Sequence, residues 1–126
     1  MKRAIHTDKA PKAVGPYSQA IRGGGFLFTS GQIPLDPASG KLVQGGIKEQ
    51  AHQVMKNLKA VLEAGGTDFS KVVKSTVFLD DLKNFVQFNE VYAEYFQGDR
   101  PARSTFQVAG LPLGARIEIE MIALVE

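Results

Sequence analysis

Between Ile117 and Val125 the chain alternates two sets of side chains that a sheet facing water on one side has no reason to combine. Successive strand residues point to opposite faces, so Ile117, Ile119, Met121, Ala123 and Val125 form one wholly apolar surface. The opposite surface reads Glu118, Glu120, Ile122, Leu124. A solvated strand face is polar, and this one sets Ile and Leu beside its carboxylates. The segment therefore needs cover on both sides, and this limits the folds open to the chain.

The remaining segments supply one of the two covers. Ile47, Ala51, Val54, Met55, Leu58, Val61 and Leu62 repeat at the spacing of one helix face, with Lys48, Glu49, Gln53, Lys56, Asn57 and Lys59 on the other side. Gly65-Gly66 is placed to end that helix. A second helix is predicted after Asp80 or Asp81, either of which can cap it. Its apolar stripe runs through Leu82, Phe85, Phe88 or Asn89, Tyr92, Tyr95 and Phe96, and Gly98 and Pro101 close it.

Strands are predicted over 17–22 and 26–33, joined by the hairpin turn Gly23-Gly24-Gly25, and over 72–79, where β-branched residues dominate. A short opening strand is placed around 3–5, and a long surface loop over 33–46. The final segments, 102–108 and 116–125, are expected to pair as a hairpin across AGLPLGA. The predicted fold class is α+β, a mainly antiparallel sheet with two helices on one face. Two helices leave the other face bare, and the economical cover is a second copy of the chain. A homo-oligomer with its sheets turned inward follows, with Glu118 and Glu120 near a subunit boundary.

In the expected hairpin, Arg103, Thr105 and Gln107 share one face, and Arg103 approaches a glutamate of the last strand. Two readings stand: a cross-strand ion pair, or an arginine reserved for a planar anion that its fork grips with two parallel hydrogen bonds.

Composition narrows the chemistry. The 126 residues fit a single domain spanning 1–126. With no cysteine, disulfides, thiolate metal sites and a cysteine nucleophile are excluded together. Fifteen Lys plus Arg against thirteen Asp plus Glu give a charge of +2, too balanced to announce a nucleic-acid or membrane partner. No apolar leader and no run near the ~20 residues of a bilayer span are seen, so a cytoplasmic protein is expected. His6 and His52 have no metal-ligand spacing and are expected to face solvent, which disfavours a histidine triad. No nucleotide-binding glycine motif occurs. The aromatics of the second helix are expected in the core rather than as a stacking platform for bases.

Several segments together resemble the reactive intermediate deaminase (Rid/YjgF) family, closest to its RidA-type imine deaminases. They are APKAVGPYSQA, FTSGQIPLDPASGKLV, HQVMKNLKAVLEAGG, VVKSTVFLDDL, FNEVYAEYF, RPARSTFQVAGLP and IEIEMIALV, which cover nearly the whole chain. The resemblance implies a chorismate-mutase-like domain assembled as a homotrimer, with an inner barrel of sheets and active sites at the subunit interfaces. It implies hydrolysis of 2-imino acids such as 2-iminopropanoate and 2-iminobutanoate to 2-oxo acids and ammonia, without a cofactor or metal. A functional link to the pyridoxal-phosphate-dependent dehydratases that release such imines is implied, without a stable complex.

Position by position, Arg103 matches the arginine that grips the substrate carboxylate, and Glu118 the residue that orients or activates water. Tyr17 matches a catalytic pocket position, and Ser30, Gly31, Asn89 and Thr105 match substrate-binding positions. Many relatives carry cysteine where this chain has Thr105. The family also keeps other readings open: an RNA-binding endoribonuclease that inhibits translation, or a non-catalytic chaperone-like or metabolite-binding trimer.

Overall fold

A computed structural model describes residues 1–125. Six strands and two helices follow in chain order: β1 (Arg3–Ile5), β2 (Ala20–Gly23), β3 (Phe26–Thr29), α1 (Ile47–Ala64), β4 (Val72–Leu79), α2 (Phe85–Ala93), β5 (Ala102–Gln107) and β6 (Ile117–Leu124). They form one sheet in the order β1-β2-β3-β6-β4-β5, antiparallel except for the parallel pair β4 and β5. This is the expected α+β class. No helix is long and apolar enough to cross a membrane among the described residues.

The local elements form where periodicity and turn chemistry place them. The β2–β3 hairpin turns on Gly24 and Gly25, at φ +60° and +82°, a left-handed conformation that favours glycine. α1 buries all seven residues of its predicted stripe. Its first turn is closed by Glu49, whose carboxylate accepts from the Gly46 N–H at 2.9 Å. At its other end Gly65 lies against Leu27: a Cβ there would meet the Leu27 methyl carbons at 2.7 and 2.8 Å. Asn57, assigned above to the polar side, is instead buried. It donates to the carbonyls of Leu35 at 2.9 Å and Ile33 at 3.3 Å, and so ties the long loop to the helix.

α2 is shorter than its apolar stripe suggests. Asp81 accepts from the Lys83 N–H, but the turn it caps is a 3₁₀ turn at Leu82–Asn84 that precedes the helix. Tyr95 and Phe96 follow the helix end, with Phe96 still in the core.

The expected final hairpin does not form. α2 is the crossover that returns the chain beside β4, so β5 pairs with β4 in parallel and lies at the edge of the sheet. β6 is inserted between β3 and β4 and hydrogen-bonded on both sides. Ser75 stands opposite Arg103, and Phe78 opposite Glu118. With these registers the two backbones lie roughly 14 Å apart, given strand spacings of about 4.8 Å and rises of about 3.3 Å.

They also belong to opposite faces. Ser75 points to the helices and bonds Tyr92 of α2, and Arg103 shares that face. Glu118 alternates with the buried Ile117 and Ile119 and so points away from the helices. The cross-strand ion pair between them is therefore absent.

The face turned away from the helices carries Phe28, Phe106 and Leu124 at 45%, 52% and 39% exposure, with Phe78 stacked on Phe106. The helix-covered face holds the core, including Leu27, Val54, Leu58, Val77, Phe88 and Ile119.

The Gly65–Leu27 contact is testable. Gly65→Ala is expected to cost about 1–3 kcal/mol by overpacking a fully buried leucine. In a double-mutant cycle read by urea denaturation, Leu27→Val recovers part of that cost; strict additivity would contradict the contact.

Candidate active site

The residues singled out in the sequence gather into two groups. The first surrounds Glu118. Past Phe28, which pairs with Ile122, the β3–β6 ladder resumes at Gln32, which exchanges backbone hydrogen bonds with Ile119 at 2.9 and 3.2 Å. Three residues, Thr29 to Gly31, thus stand against two on β6, which makes a bulge. The Thr29 hydroxyl fills the gap in the ladder by accepting from the Met121 N–H at 2.9 Å.

The bulge brings the backbone of Gly31 against the Glu118 carboxylate, where any Cβ would collide with it. Gly31 is needed for this close approach, since its φ is not left-handed. Ser30 donates its hydroxyl to the Ser18 carbonyl at 2.5 Å, which leaves the oxygen free to accept.

Tyr17, 48% exposed, accepts from the Val14 N–H at 3.3 Å. The segment before it is fixed by Gln19, a buried side chain that sequence reading passed over. Its amide accepts from the Thr7 N–H at 2.7 Å and donates to the carbonyls of Thr7 at 3.0 Å and Pro11 at 2.8 Å. Gln19 thereby holds one wall of a cavity of about 650 Å³ that Tyr17, Ser30, Gly31, Glu118 and Glu120 also line.

Leu113, on the 3₁₀ turn at Pro112–Gly114, lies on the rim at φ +59°. That conformation is strained for a residue with a Cβ, and nothing in the sequence signalled it. Burial pushes the Glu118 carboxyl above the usual carboxylate range, and the charge of Glu120 adds to the rise.

The second group surrounds Arg103. Its guanidinium carbon lies 4.8 Å from the ring centre of Tyr92, 5.2 Å from Phe88 and 5.6 Å from Phe85. Rings in this position attract the cation through their negative faces. Arg103 makes no ion pair among the described residues. Burial pulls its proton affinity below the usual arginine value, which leaves it charged at neutral pH.

The Tyr92 hydroxyl is bound to Ser75 Oγ at 2.6 Å, and burial raises its pKa, so it stays neutral. Asn89 Oδ1 and Thr105 Oγ1 are both buried with no hydrogen-bond partner. Buried polar atoms are nearly always paired, so these two acceptors are unusual. Asn89, Tyr92 and Arg103 line a second cavity of about 520 Å³.

All seven residues named from the sequence thus fall into one group or the other: Tyr17, Ser30, Gly31 and Glu118 together, and Asn89, Arg103 and Thr105 together. One chain does not join the groups. His52 departs from its expected solvent position: it is half-buried, with Nδ1 2.8 Å from the Tyr95 hydroxyl. Neither histidine lines either cavity. No group of three or more His, Asp or Glu side chains is placed to hold a metal ion among the described residues.

A small α+β protein with a carboxylate-lined cavity on one side of its sheet and a guanidinium on aromatic rings on the other is the class defined so far. Comparison with known proteins narrows it. Residues 7–125 match the family model described as Endoribonuclease L-PSP. The 2-iminobutanoate/2-iminopropanoate deaminase of Mus musculus is 52% identical over 98% of this chain and 92% of its own.

Among solved structures, a putative endoribonuclease from Thermotoga maritima superposes with a TM-score of 0.97 at 56% identity, over 100% of this chain and 99% of the other. A conserved Rid family protein, YyfA from Yersinia pestis, superposes with a TM-score of 0.97 at 51% identity, over 99% and 100%. The chain belongs to the L-PSP endoribonuclease family, also known as the Rid/YjgF family.

The electrostatic link within the first group gives a directional test. Glu120→Gln removes a negative charge that opposes ionisation of Glu118, so Glu118 is expected to ionise at lower pH. Carbon-13 NMR titration of the glutamate carboxyls reads the shift; no change would separate the two groups.

Proposed function

We propose that the chain is a one-domain subunit of a homotrimer that hydrolyses 2-imino acids to 2-oxo acids and ammonia, each active site built from the Glu118 group of one copy and the Arg103 group of the next. The observation that carries this reading is the division of the site. The acidic and cationic groups lie on opposite sheet faces and cannot meet in one chain. The exposed aromatic residues of the open sheet face support the assembly, because a bare apolar face of this kind calls for a partner. The mouse relative, with its deaminase name, supports the reaction.

The geometry suits such a reaction. Arg103, with no carboxylate partner among the described residues, grips the substrate carboxylate through two parallel hydrogen bonds. The unpartnered oxygens of Asn89 and Thr105 are available to accept hydrogen bonds from the imine N–H or from water. Thr105 keeps the backbone of its strand, so the absence of the common cysteine leaves the binding groups in place.

A protonated imine is already electrophilic, and the protein's task is to hold it and aim water at C2. The water oxygen bonds to C2 as the C=N π pair moves to nitrogen, and Glu118 takes the water proton. The resulting carbinolamine receives that proton on its amine. The C–N bond then breaks as the hydroxyl gives its proton to Glu118 and its oxygen forms C=O, and ammonia leaves and takes that proton as ammonium. A glutamate whose proton affinity is raised by burial suits both halves of this exchange. Tyr17 closes the mouth of the cavity. Dehydratases that use pyridoxal phosphate to eliminate water from serine or threonine are the class of reaction that supplies such imines.

The family description also names an endoribonuclease. No histidine lines the 650 Å³ cavity, whose charged residues are Lys12, Glu118 and Glu120, so it lacks the imidazole that commonly moves protons in RNA cleavage.

The test couples a serine/threonine dehydratase to 2-oxo acid detection. Arg103→Ala is expected to reduce the added rate to background while the assembly keeps about three times the 13.7 kDa chain mass. Glu118→Gln is expected to lower kcat by about 10²–10⁴-fold, the usual contribution of a positioned proton-transfer group. It is expected to leave 2-oxobutanoate affinity within a few-fold. Unchanged turnover in either variant overturns the assignment, and RNA cleavage abolished by both would replace it.

A further inference from the structure

Within one chain, the cavity beside Arg103 gathers two positive side chains. Its lining is Asn89, Tyr92, Ala93, Arg100, Pro101 and Arg103, with no acidic side chain. Arg100 makes no ion pair among the described residues, and neither does Arg103. Arg103 is fixed by the three rings beneath it. Arg100 stands exposed on the approach to β5, two residues after Gly98, which turns the chain at φ +71°. Two guanidinium groups facing one cavity repel each other, and the repulsion is relieved when anionic charge enters.

In the single chain the cavity measures about 520 Å³, and the Glu118 group of the next copy takes up part of that space in the proposed assembly. Pro101 and Ala102 separate the two arginines, so their backbones lie at most about 10 Å apart. Two long side chains rooted at that distance can converge on the two ends of one short ligand.

We infer that Arg100 forms a second anion subsite, and that the preferred substrates are 2-imino acids whose own side chain ends in a carboxylate, the imines of acidic amino acids. The inference rests on the reading of Arg103 as the clamp for the first carboxylate. Arg103 then holds the carboxylate beside the imine carbon, and Arg100 the one at the far end. Only the second contact distinguishes an acidic imine from an apolar one of equal length.

Two stable ketone ligands of equal chain length test this on the full-length protein by calorimetry: 2-oxoglutarate and 2-oxopentanoate, which differ by the terminal carboxylate. The wild-type chain is expected to bind 2-oxoglutarate about tenfold more tightly, the size of one partly screened charge-assisted hydrogen bond. Arg100→Ala brings the ratio near one, and Arg100→Glu inverts it. Arg22→Ala, which removes a cation on β2, leaves the ratio unchanged.

The inference is overturned if the wild-type chain binds 2-oxopentanoate as tightly as 2-oxoglutarate. It is equally overturned if Arg100→Ala preserves the ratio and instead weakens the assembly, which would make Arg100 an interface residue. Arg103→Ala separates the underlying reading, since it is expected to weaken both ligands together. If it leaves both unchanged, the clamp fails on its own account; if neither ligand binds the wild-type chain, both readings fall.

Discussion

Pairing of β6 with β3 on one edge and with β4 on the other puts a strand with two differently employed faces at the centre of the sheet. Its odd-numbered residues, Ile117 to Ala123, are sealed beneath the helices. That burial fixes the register, because a slip of one residue would drive Glu118 and Glu120 into the core. With the register fixed, the carboxylates must point to the open face, and β5 must take the sheet edge beyond β4. The separation of Glu118 from Arg103 is thus a consequence of core packing, and the divided site follows from it.

Much of this was legible in the sequence where the signal is local. The apolar period of α1, the β-branched run of β4 and the glycine turn of the first hairpin each depend on neighbouring residues, and each forms as expected. The pairing of the last two strands depends on distant ones. A crossover through α2 and a hairpin through AGLPLGA leave similar local patterns, so the parallel β4–β5 pair and the insertion of β6 could not be read from either strand. Buried polar residues were missed for a related reason. Gln19, Gln50 and Asn57 resemble surface residues until the loop or backbone that each satisfies is in place, as when Gln50 accepts from the Arg116 N–H at 2.9 Å.

The candidate site was legible as a set of residues and illegible as an arrangement. Motif resemblance picked out Tyr17, Ser30, Gly31, Asn89, Arg103, Thr105 and Glu118, and the structure gives several of them physical reasons. A Cβ on Gly31 would displace the Glu118 carboxylate, so glycine lets the two approach closely. Arg103 rests on three rings and has no counter-ion among the described residues. Local strain at Leu113 and the two unpartnered oxygens lie among these groups, and they emerge only from three-dimensional packing.

In the proposed trimer each working site takes its carboxylate from one chain and its guanidinium from the next. Subunit mixing tests it most directly. Arg103→Ala and Glu118→Gln chains, each inactive alone, are unfolded together in equal amounts, refolded and assayed for imine hydrolysis. Random mixing then rebuilds intact sites at about one in four interfaces, given sites shared by adjacent copies of a closed ring. Recovery of about a quarter of the wild-type activity per chain is expected. A mixture no more active than its two parents would contradict it and return the site to a single chain.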